Sequence, residues 1–152
     1  MKTVPAAVLP SSTTALGDWY ATLVILGRRQ VVLTCSELTF LPVVVAARDI
    51  GSVVPRLRVG VAELLGEIGV DSVAIDAELT AMNPSAIGAT ASRVVLGVMN
   101  DFVHQLHAST DADTELEMSS RLARSPLGPL LMTSPIEATL ARLSDRLGFS
   151  VQ

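Results

Sequence analysis

The chain has little of what several common protein functions require. Its 152 residues include one cysteine, Cys35, and one lysine, Lys2, and only 3% are aromatic. A single cysteine cannot form an intrachain disulfide and is typical of a reducing compartment. Eleven basic residues face fifteen acidic ones, the formal net charge is −4, and no basic run is longer than Arg28-Arg29. This composition argues against a nucleic-acid partner, which needs a basic surface.

Long apolar runs are also absent. No run reaches the roughly 20 residues that cross a bilayer, and residues 1–16 lack the basic start and apolar core of a secretory signal. We therefore expect a cytoplasmic protein without membrane contact. Charged residues make up only 17% of the chain, against about 25% in an average soluble protein. This deficit predicts extra apolar surface covered by a second copy, so we expect a homo-oligomer, most simply a dimer.

Sequence motifs for the commonest catalytic mechanisms are missing as well. The chain contains no G-x-x-x-x-G-K-[ST], G-x-G-x-x-G, H-E-x-x-H, G-x-S-x-G or C-x-x-C segment. Nucleotide hydrolysis, dinucleotide chemistry and the common hydrolase mechanisms therefore have no local support. No cofactor is predicted, although a divalent metal remains possible at the histidines described below.

What is present is a strong β-hairpin signal between Gly17 and Cys35. Residues 18–26 are rich in β-branched and aromatic side chains, and Gly27-Arg28 fits a tight turn in which glycine takes a positive φ. The return strand covers residues 30–35. A third strand is predicted over residues 38–45, where Pro42 indicates an edge or a bulge because it cannot donate a ladder hydrogen bond. These segments predict a three-stranded antiparallel meander.

Apolar residues at steps of three and four predict helices after this meander. The helices cover the Asp49–Ser52 region to Gly69, then 71–82, 92–108, 114–124 and 135–147. Two short segments, 86–90 and 130–133, are predicted as further strands. The predicted fold is α+β, with an antiparallel β-meander sheet of four to five strands and four to five helices packed mainly on one face. Residues 1–16 are predicted as an N-terminal arm and 17–152 as a single α+β domain.

The helix predicted over residues 92–108 carries its polar residues on one side. Opposite its apolar stripe lie Arg93, Gly97, Asn100, His104 and His107, and Asp101 borders them. One hypothesis is a site in which Asp101, His104 and His107 bind a divalent metal, or Asp101 and His104 act as general acid and base. The other is a solvated helix face, because ligands at i, i+3 and i+6 turn by about 240° in total and fit one ion poorly.

Other residues are candidates for ligand binding. Arg28 and Arg29 at the hairpin turn could bind an anion or keep a sheet edge soluble. Trp19 and Tyr20 point to opposite faces, so we expect one in the core and the other at a pocket or interface. Gly97, within a helix, predicts a close helix crossing or a ligand near the backbone. Arg93 and Asn100 complete the predicted ligand-binding set, and Cys35 is interpreted as a buried small hydrophobe.

Three segments resemble a small uncharacterised bacterial domain family, a domain of unknown function. They are Trp19-Tyr20-Ala21-Thr22-Leu23, Arg28-Arg29-Gln30 and the helix start from Arg93 to Phe102. Members of that family carry W-(H/Y)-A-N-L-L, R-R-K and R-S-V-L-G-S-M-N-D-F-like segments. The similarity spans roughly residues 17–140. This chain has Thr22, Gln30, Val94 and Val98 where the family has Asn, Lys and two Ser. The resemblance implies an antiparallel sheet with helices and carries no established activity.

Two functional hypotheses follow. The first is a cytosolic bacterial binding or interaction module, homodimeric, with a small-molecule pocket between the sheet and the helix from Arg93 to His107. The alternative is a small enzyme, a metal-dependent or acid–base hydrolase that uses Asp101 and His104 on a small molecule or phosphoester. A metal detected by elemental analysis and lost in His104→Ala would favour the enzyme.

Overall fold

The computed structural model describes residues 15–48, 52–82, 87–88, 93–110 and 112–147. It confirms an α+β fold with a three-stranded antiparallel sheet and five helices. The strands are β1 (Trp19–Leu26), β2 (Arg29–Ser36) and β3 (Pro42–Ala46). The helices are α1 (Val53–Glu67), α2 (Ser72–Ala81), α3 (Arg93–Leu106), α4 (Glu115–Ala123) and α5 (Pro135–Leu147).

The predicted hairpin forms as expected. β1 and β2 pair antiparallel from Trp19 opposite Ser36 to Leu26 opposite Arg29. Gly27 occupies the first turn position with a φ of 66°, a conformation that glycine adopts without the strain of a Cβ. The turn therefore fixes the register of the two strands, and the register decides which side of the sheet each residue of β1 and β2 faces.

β3 is an edge strand, as Pro42 predicts, but it begins later than expected. Residues 37–39 form a turn in which the Ser36 carbonyl accepts from the Phe40 N–H at 3.0 Å and the Ser36 hydroxyl accepts from the Leu41 N–H at 2.9 Å. Phe40 has a φ of 56°, which an extended strand cannot accommodate. The turn is tied to α5 by a hydrogen bond of 3.0 Å between the Thr139 and Thr39 hydroxyls.

The two additional strand predictions fare differently. A two-residue strand, β4 (Ile87–Gly88), pairs with Trp19 and Tyr20 of β1, but it runs parallel. The prediction of four to five strands in one antiparallel sheet is therefore not confirmed. The strand predicted over residues 130–133 is wrong. A short 3₁₀ helix, Gly128–Leu130, is followed by Leu131 and Met132 with φ of 55° and 69°, and left-handed backbone cannot continue a strand.

Helices pack on both faces of the sheet, so the prediction of one covered face is wrong. One core joins β1, β2 and β3 to α3 and α4, and the other joins the opposite face to α1 and α5. The first contains Val24, Val31, Leu33, Cys35, Val44, Val95, Val98, Met99, Phe102, Leu106, Met118 and Leu122. The second contains Trp19, Leu41, Val43, Val45, Leu57, Val61, Leu64, Leu65, Met82, Ala123 and Leu143. The reason is that β3 is apolar on both sides, with Val44 on one and Val43 and Val45 on the other, and each side must be removed from water.

Side-chain caps define the helix starts that the sequence indicates. Asp71 accepts from the Ala74 N–H at 2.9 Å at the start of α2. At α5 the predicted capping box is present, because Ser134 and Glu137 each bond the other's backbone N–H at 3.2 Å. Such caps satisfy backbone donors that have no partner inside the helix.

The last two residues of the predicted arm belong to the packed domain. Ala15 and Leu16 are buried. The Ala15 N–H donates to Glu78 Oε1 at 2.9 Å, and its carbonyl accepts from Arg142 Nε at 2.6 Å. Residues 1–14 lie outside the described residues. Across the described ranges, the helices are too short or too polar to cross a membrane.

Candidate functional site

The predicted polar stripe of α3 exists and faces solvent. Residues Arg93, Gly97, Asn100, Asp101, His104 and His107 are all exposed, whereas Val95, Val98, Met99, Phe102 and Leu106 are buried. The helical periodicity therefore assigns each side of α3 correctly.

The structure does not bring the predicted metal ligands into a site. Within the described ranges no group of three or more His, Cys, Asp or Glu side chains is placed to hold a metal ion. A catalytic role for Asp101 and His104 stays a prediction. A Cβ added at Gly97 would meet nothing within 4 Å, so the helix crossing predicted there is not present among the described residues.

Trp19 and Tyr20 do point to opposite faces of the sheet. Trp19 is buried in the core against α1, and its indole N–H has no hydrogen-bond partner among the described residues. Tyr20 is half-buried and packs at the margin of the core formed with α3. Partial burial and the nearby carboxylates of Glu37 and Asp18 raise the pKa of the Tyr20 hydroxyl. Of the two, Tyr20 is the ring that a solute could contact.

The hairpin turn places its two arginines differently. Arg28 is exposed at the tip. Arg29 is half-buried and donates to the Asp113 carbonyl and, at 2.6 Å, to Glu115 Oε2 at the start of α4. A planar guanidinium can hold a carbonyl and a carboxylate at once because its donors are fixed in a fork. Arg29 therefore ties the β1–β2 hairpin to α4, a contact across 86 residues of sequence.

Opposing effects act on the pKa of Glu115 in this ion pair. Partial burial alone would raise the pKa of Glu115, but the hydrogen bond from Arg29, a backbone hydrogen bond and the charges of Arg29 and Arg48 together lower it. The carboxylate is therefore ionised at neutral pH and neutralises part of the surrounding positive charge.

A polar cavity of about 310 Å³ lies beside the hairpin tip. It is lined by Leu26, Gly27, Arg29, His107, Ser109 and Thr110. Two residues predicted from separate motifs, Arg29 and His107, thus meet at one cavity. The connection after α3 is held in place there, because Arg121 donates to Ser109 Oγ at 2.6 Å and the Thr110 N–H donates to Asp113 Oδ2 at 2.9 Å.

A second cavity, of about 280 Å³, lies on the other side of the Arg29–Glu115 pair. We call it the edge cavity because it opens along the outer edge of β3, between α1 and α4. Its lining includes Val44, Arg48, Arg56, Val59, Glu63, Glu115 and Leu116. None of these lining residues was singled out by the sequence, because β3, α1 and α4 approach one another only in the folded chain. Neither cavity is lined by Asn100, Asp101 or His104.

The outer edges of β3 and β1 differ in which groups bind their backbone. At β3 the Val44 N–H donates to Ser119 Oγ of α4 at 2.7 Å, and the Ala46 carbonyl accepts from Arg56 of α1 at 3.2 Å. At β1 the two-residue β4 pairs only with Trp19 and Tyr20. From Ala21 to Leu26 no described residue pairs with the outer edge of β1.

Cys35 lies in the central strand and is fully buried, in agreement with its interpretation as a small hydrophobe. Burial raises the pKa of its thiol to about 12. A thiol with so high a pKa is almost entirely protonated at neutral pH and is a poor nucleophile.

Residues 1–138 match the model of a family described as "Domain of unknown function (DUF6933)". The match covers most of the chain, which therefore belongs to that family, and the predicted resemblance to a domain of unknown function is confirmed. No curated protein and no solved structure matches the chain.

Proposed function

We propose that this member of the DUF6933 family is a cytosolic bacterial binding and interaction module that forms a homodimer through the outer edge of β1. The observation that supports this most directly is the uncovered part of that edge, from Ala21 to Leu26, within the described structure. Unpaired strand edges are templates for pairing with another chain, and proteins normally block them with charges, proline or a covering element.

β1 carries neither of the two blocking residue types. Its sequence WYATLVIL has no charged residue and no proline. On one face of its outer half, Leu23 and Ile25 are 56% and 57% exposed, and they lie beyond the part of that face that α1 covers. An apolar side chain next to unpaired backbone groups favours association, because pairing satisfies the hydrogen bonds and removes apolar area from water together.

The hydrogen-bond pattern shows which backbone groups are available. Ala47 N–H donates to the Gln30 carbonyl at 3.2 Å, so Gln30 bonds toward β3, and Arg29 and Val31 bond toward β1. Their partners are Leu26 and Val24. Since alternate residues of a strand bond to opposite sides, Leu23 and Ile25 direct their N–H and C=O groups outward.

A two-fold axis at Val24 would use these groups symmetrically. Antiparallel pairing there sets Leu23 opposite Ile25 of a second copy, and Ile25 opposite the other Leu23, which forms four backbone hydrogen bonds. The exposed side chains of these residues then pack together on one face. Such an interface is isologous and closes at two copies. The low charge content of the chain agrees with an apolar surface of this kind.

The test is a single charge at this edge. We expect Ile25→Lys to convert a micromolar dimer into a monomer, measured by size-exclusion chromatography with light scattering, because a lysine introduced at a strand edge opposes pairing. Val73→Lys is the matched control, since Val73 is a 69% exposed valine of α2 far from β1 in sequence. A wild-type monomer, or a dimer that persists in Ile25→Lys, would show that β1 is not the interface.

A further inference from the structure

The edge cavity has an apolar base and one wall formed by a single side of α1. β3 supplies Val44, Val45 and Ala46, of which the two valines are buried. α1 supplies Arg56, Val59, Gly60 and Glu63, the i, i+3, i+4 and i+7 positions that share a helix face. α4 completes the enclosure with Glu115, Leu116 and Ser119. A small apolar group would lie against Val44, Val59 and Leu116.

The polar groups around this base include unused arginine donors. Arg48 is exposed and has no hydrogen-bond acceptor among the described residues. Arg56 donates to the Ala46 carbonyl at 3.2 Å, which uses one of its five N–H groups. Both guanidinium groups therefore have donors left for a carboxylate, which they can bind through two parallel hydrogen bonds.

The charge balance favours a negatively charged ligand. Of the two acidic residues that line the cavity, Glu115 is already paired with Arg29 at 2.6 Å. Its carboxylate also lies close enough to Arg48 for that charge to lower its pKa. The lining itself holds two arginines and two glutamates, and Arg29, which pairs with Glu115 from outside the lining, leaves Arg48 and Arg56 facing one unpaired glutamate. The unpaired acidic residue of the lining, Glu63, lies two turns along α1 from Arg56.

We propose that the edge cavity binds a small monocarboxylate with an apolar body, its carboxylate held by Arg48 and Arg56 and its body packed on Val44, Val59 and Leu116. This names a ligand class for the binding module proposed above and does not require the dimer. The carboxylate can come from a simple branched acid or from an apolar α-amino acid, whose ammonium group would then pair with Glu63.

Three probes of nearly equal apolar size separate these sources: isocaproate, leucine and isoamyl alcohol. We expect isocaproate or leucine to bind the full-length protein, detected by ligand-observed NMR, and isoamyl alcohol, which lacks the carboxylate, not to bind. Arg48→Gln should weaken binding about tenfold, the loss expected for one charged hydrogen-bonding partner. Arg58→Gln, on α1 but outside the cavity lining, should bind as the wild type does.

Further variants identify the source and separate the two proposals. If Glu63→Gln weakens leucine but not isocaproate, the ligand is an α-amino acid; if it changes neither, the ligand is a simple carboxylate. Binding by the Ile25→Lys protein should equal that of the wild type whether or not that variant is monomeric. Failure of both acids to bind, equal binding of the alcohol, or unchanged affinity in Arg48→Gln would overturn the assignment of the cavity.

Discussion

The outer edge of β3 is closed by side chains from two helices, whereas the outer edge of β1 has no comparable cover beyond its second residue in the described structure. At β3, Ser119 and Arg56 bind backbone groups that a further strand would otherwise bind. At β1, the described part of β4 pairs with Trp19 and Tyr20, and Leu23 and Ile25 face solvent. Within the described structure, the sheet therefore has one edge bound by helix side chains and one edge, from Ala21 to Leu26, without a partner.

The difference shows that strand composition does not decide whether an edge is closed. Both β1 and β3 are uncharged and rich in β-branched residues. β3 is closed because α4 runs beside it and places the buried Ser119 hydroxyl where it accepts a hydrogen bond from the Val44 N–H. Closure thus depends on a helix more than 70 residues away in sequence, and it makes the β3 edge a wall of a cavity instead of an interface.

The largest effect is expected from removing the serine hydroxyl that binds the outer edge of β3. Ser119 is buried, and its hydroxyl accepts from the Val44 N–H and donates to the Glu115 carbonyl at 2.8 Å. Ser119→Ala leaves the Val44 N–H without its acceptor, so we expect a loss of about 2 kcal/mol in the free energy of unfolding, the usual cost of a buried unsatisfied donor. Urea denaturation measures the change.

Its neighbour provides the control. Among the described residues the Ser120 hydroxyl accepts only from the exposed Arg124, at 3.3 Å, and Arg124 can bond to water instead. Ser120→Ala should therefore cost less than about 1 kcal/mol. Equal losses for the two variants would mean that the Ser119 hydroxyl does not close the edge of β3.

A smaller effect is expected where α1 approaches β3. A Cβ at Gly60 would lie 2.6 Å from Val43 Cγ1, and Val43 is buried. We expect Gly60→Ala to destabilise by about 1 kcal/mol, because overpacking costs more than the helix propensity gained. Gly97→Ala, where a Cβ meets nothing within 4 Å, should stabilise by up to about 1 kcal/mol. Thermal unfolding of both variants tests the comparison; a stabilised Gly60→Ala would contradict the close packing of α1.

The smallest effect is expected for the Arg29–Glu115 ion pair, which links the β1–β2 hairpin to the helix beside β3. Arg29 begins β2 directly after β1, and Glu115 begins the helix that closes β3. Because folding lowers the pKa of Glu115, the pair stabilises the protein above the unfolded pKa of glutamate and loses this contribution as the pH falls through the folded pKa. For a partly exposed pair we expect less than about 1 kcal/mol at pH 7.

The measurement compares the wild type with Glu115→Gln by urea unfolding at neutral pH and near pH 3. The difference in free energy of unfolding should be present at neutral pH and shrink as the pH falls through the lowered pKa of Glu115, because the wild-type carboxyl then becomes protonated. Exposed Glu67→Gln is the control. A difference that remains in acid would mean that Glu115 acts through packing and not through its charge.

The local elements were largely predictable from the sequence. The hairpin around Gly27, the caps at Asp71 and Ser134, and the polar side of α3 all follow from residues within a few positions of one another. The error at residues 130–133 is also local, because the apolar run there resembles a strand and the left-handed backbone at Leu131 and Met132 is not encoded by glycine.

The candidate site was much less predictable. Sequence reasoning selected Arg29 and His107 for separate motifs and missed Arg48, Arg56 and Glu63 altogether, because these are ordinary surface residue types without a spacing signal. Their significance comes from the contact of α1 and α4 with one strand edge. The polar stripe of α3, the clearest pattern in the sequence, lies on a solvent-facing helix side that lines neither large cavity, apart from His107.

The sequence by itself determined the three strands of the antiparallel meander, the five helices and the apolar side of α3, since those depend on backbone propensity and periodicity along a short stretch. The tertiary structure decided that both sheet faces are covered and that Arg48 and Arg56 line one cavity. It also decided that, among the described residues, helix side chains bind the outer edge of β3 while none pairs with the outer edge of β1 from Ala21 to Leu26. These outcomes depend on contacts between residues tens of positions apart, where the entropy of chain closure is offset only by the packing of the whole domain.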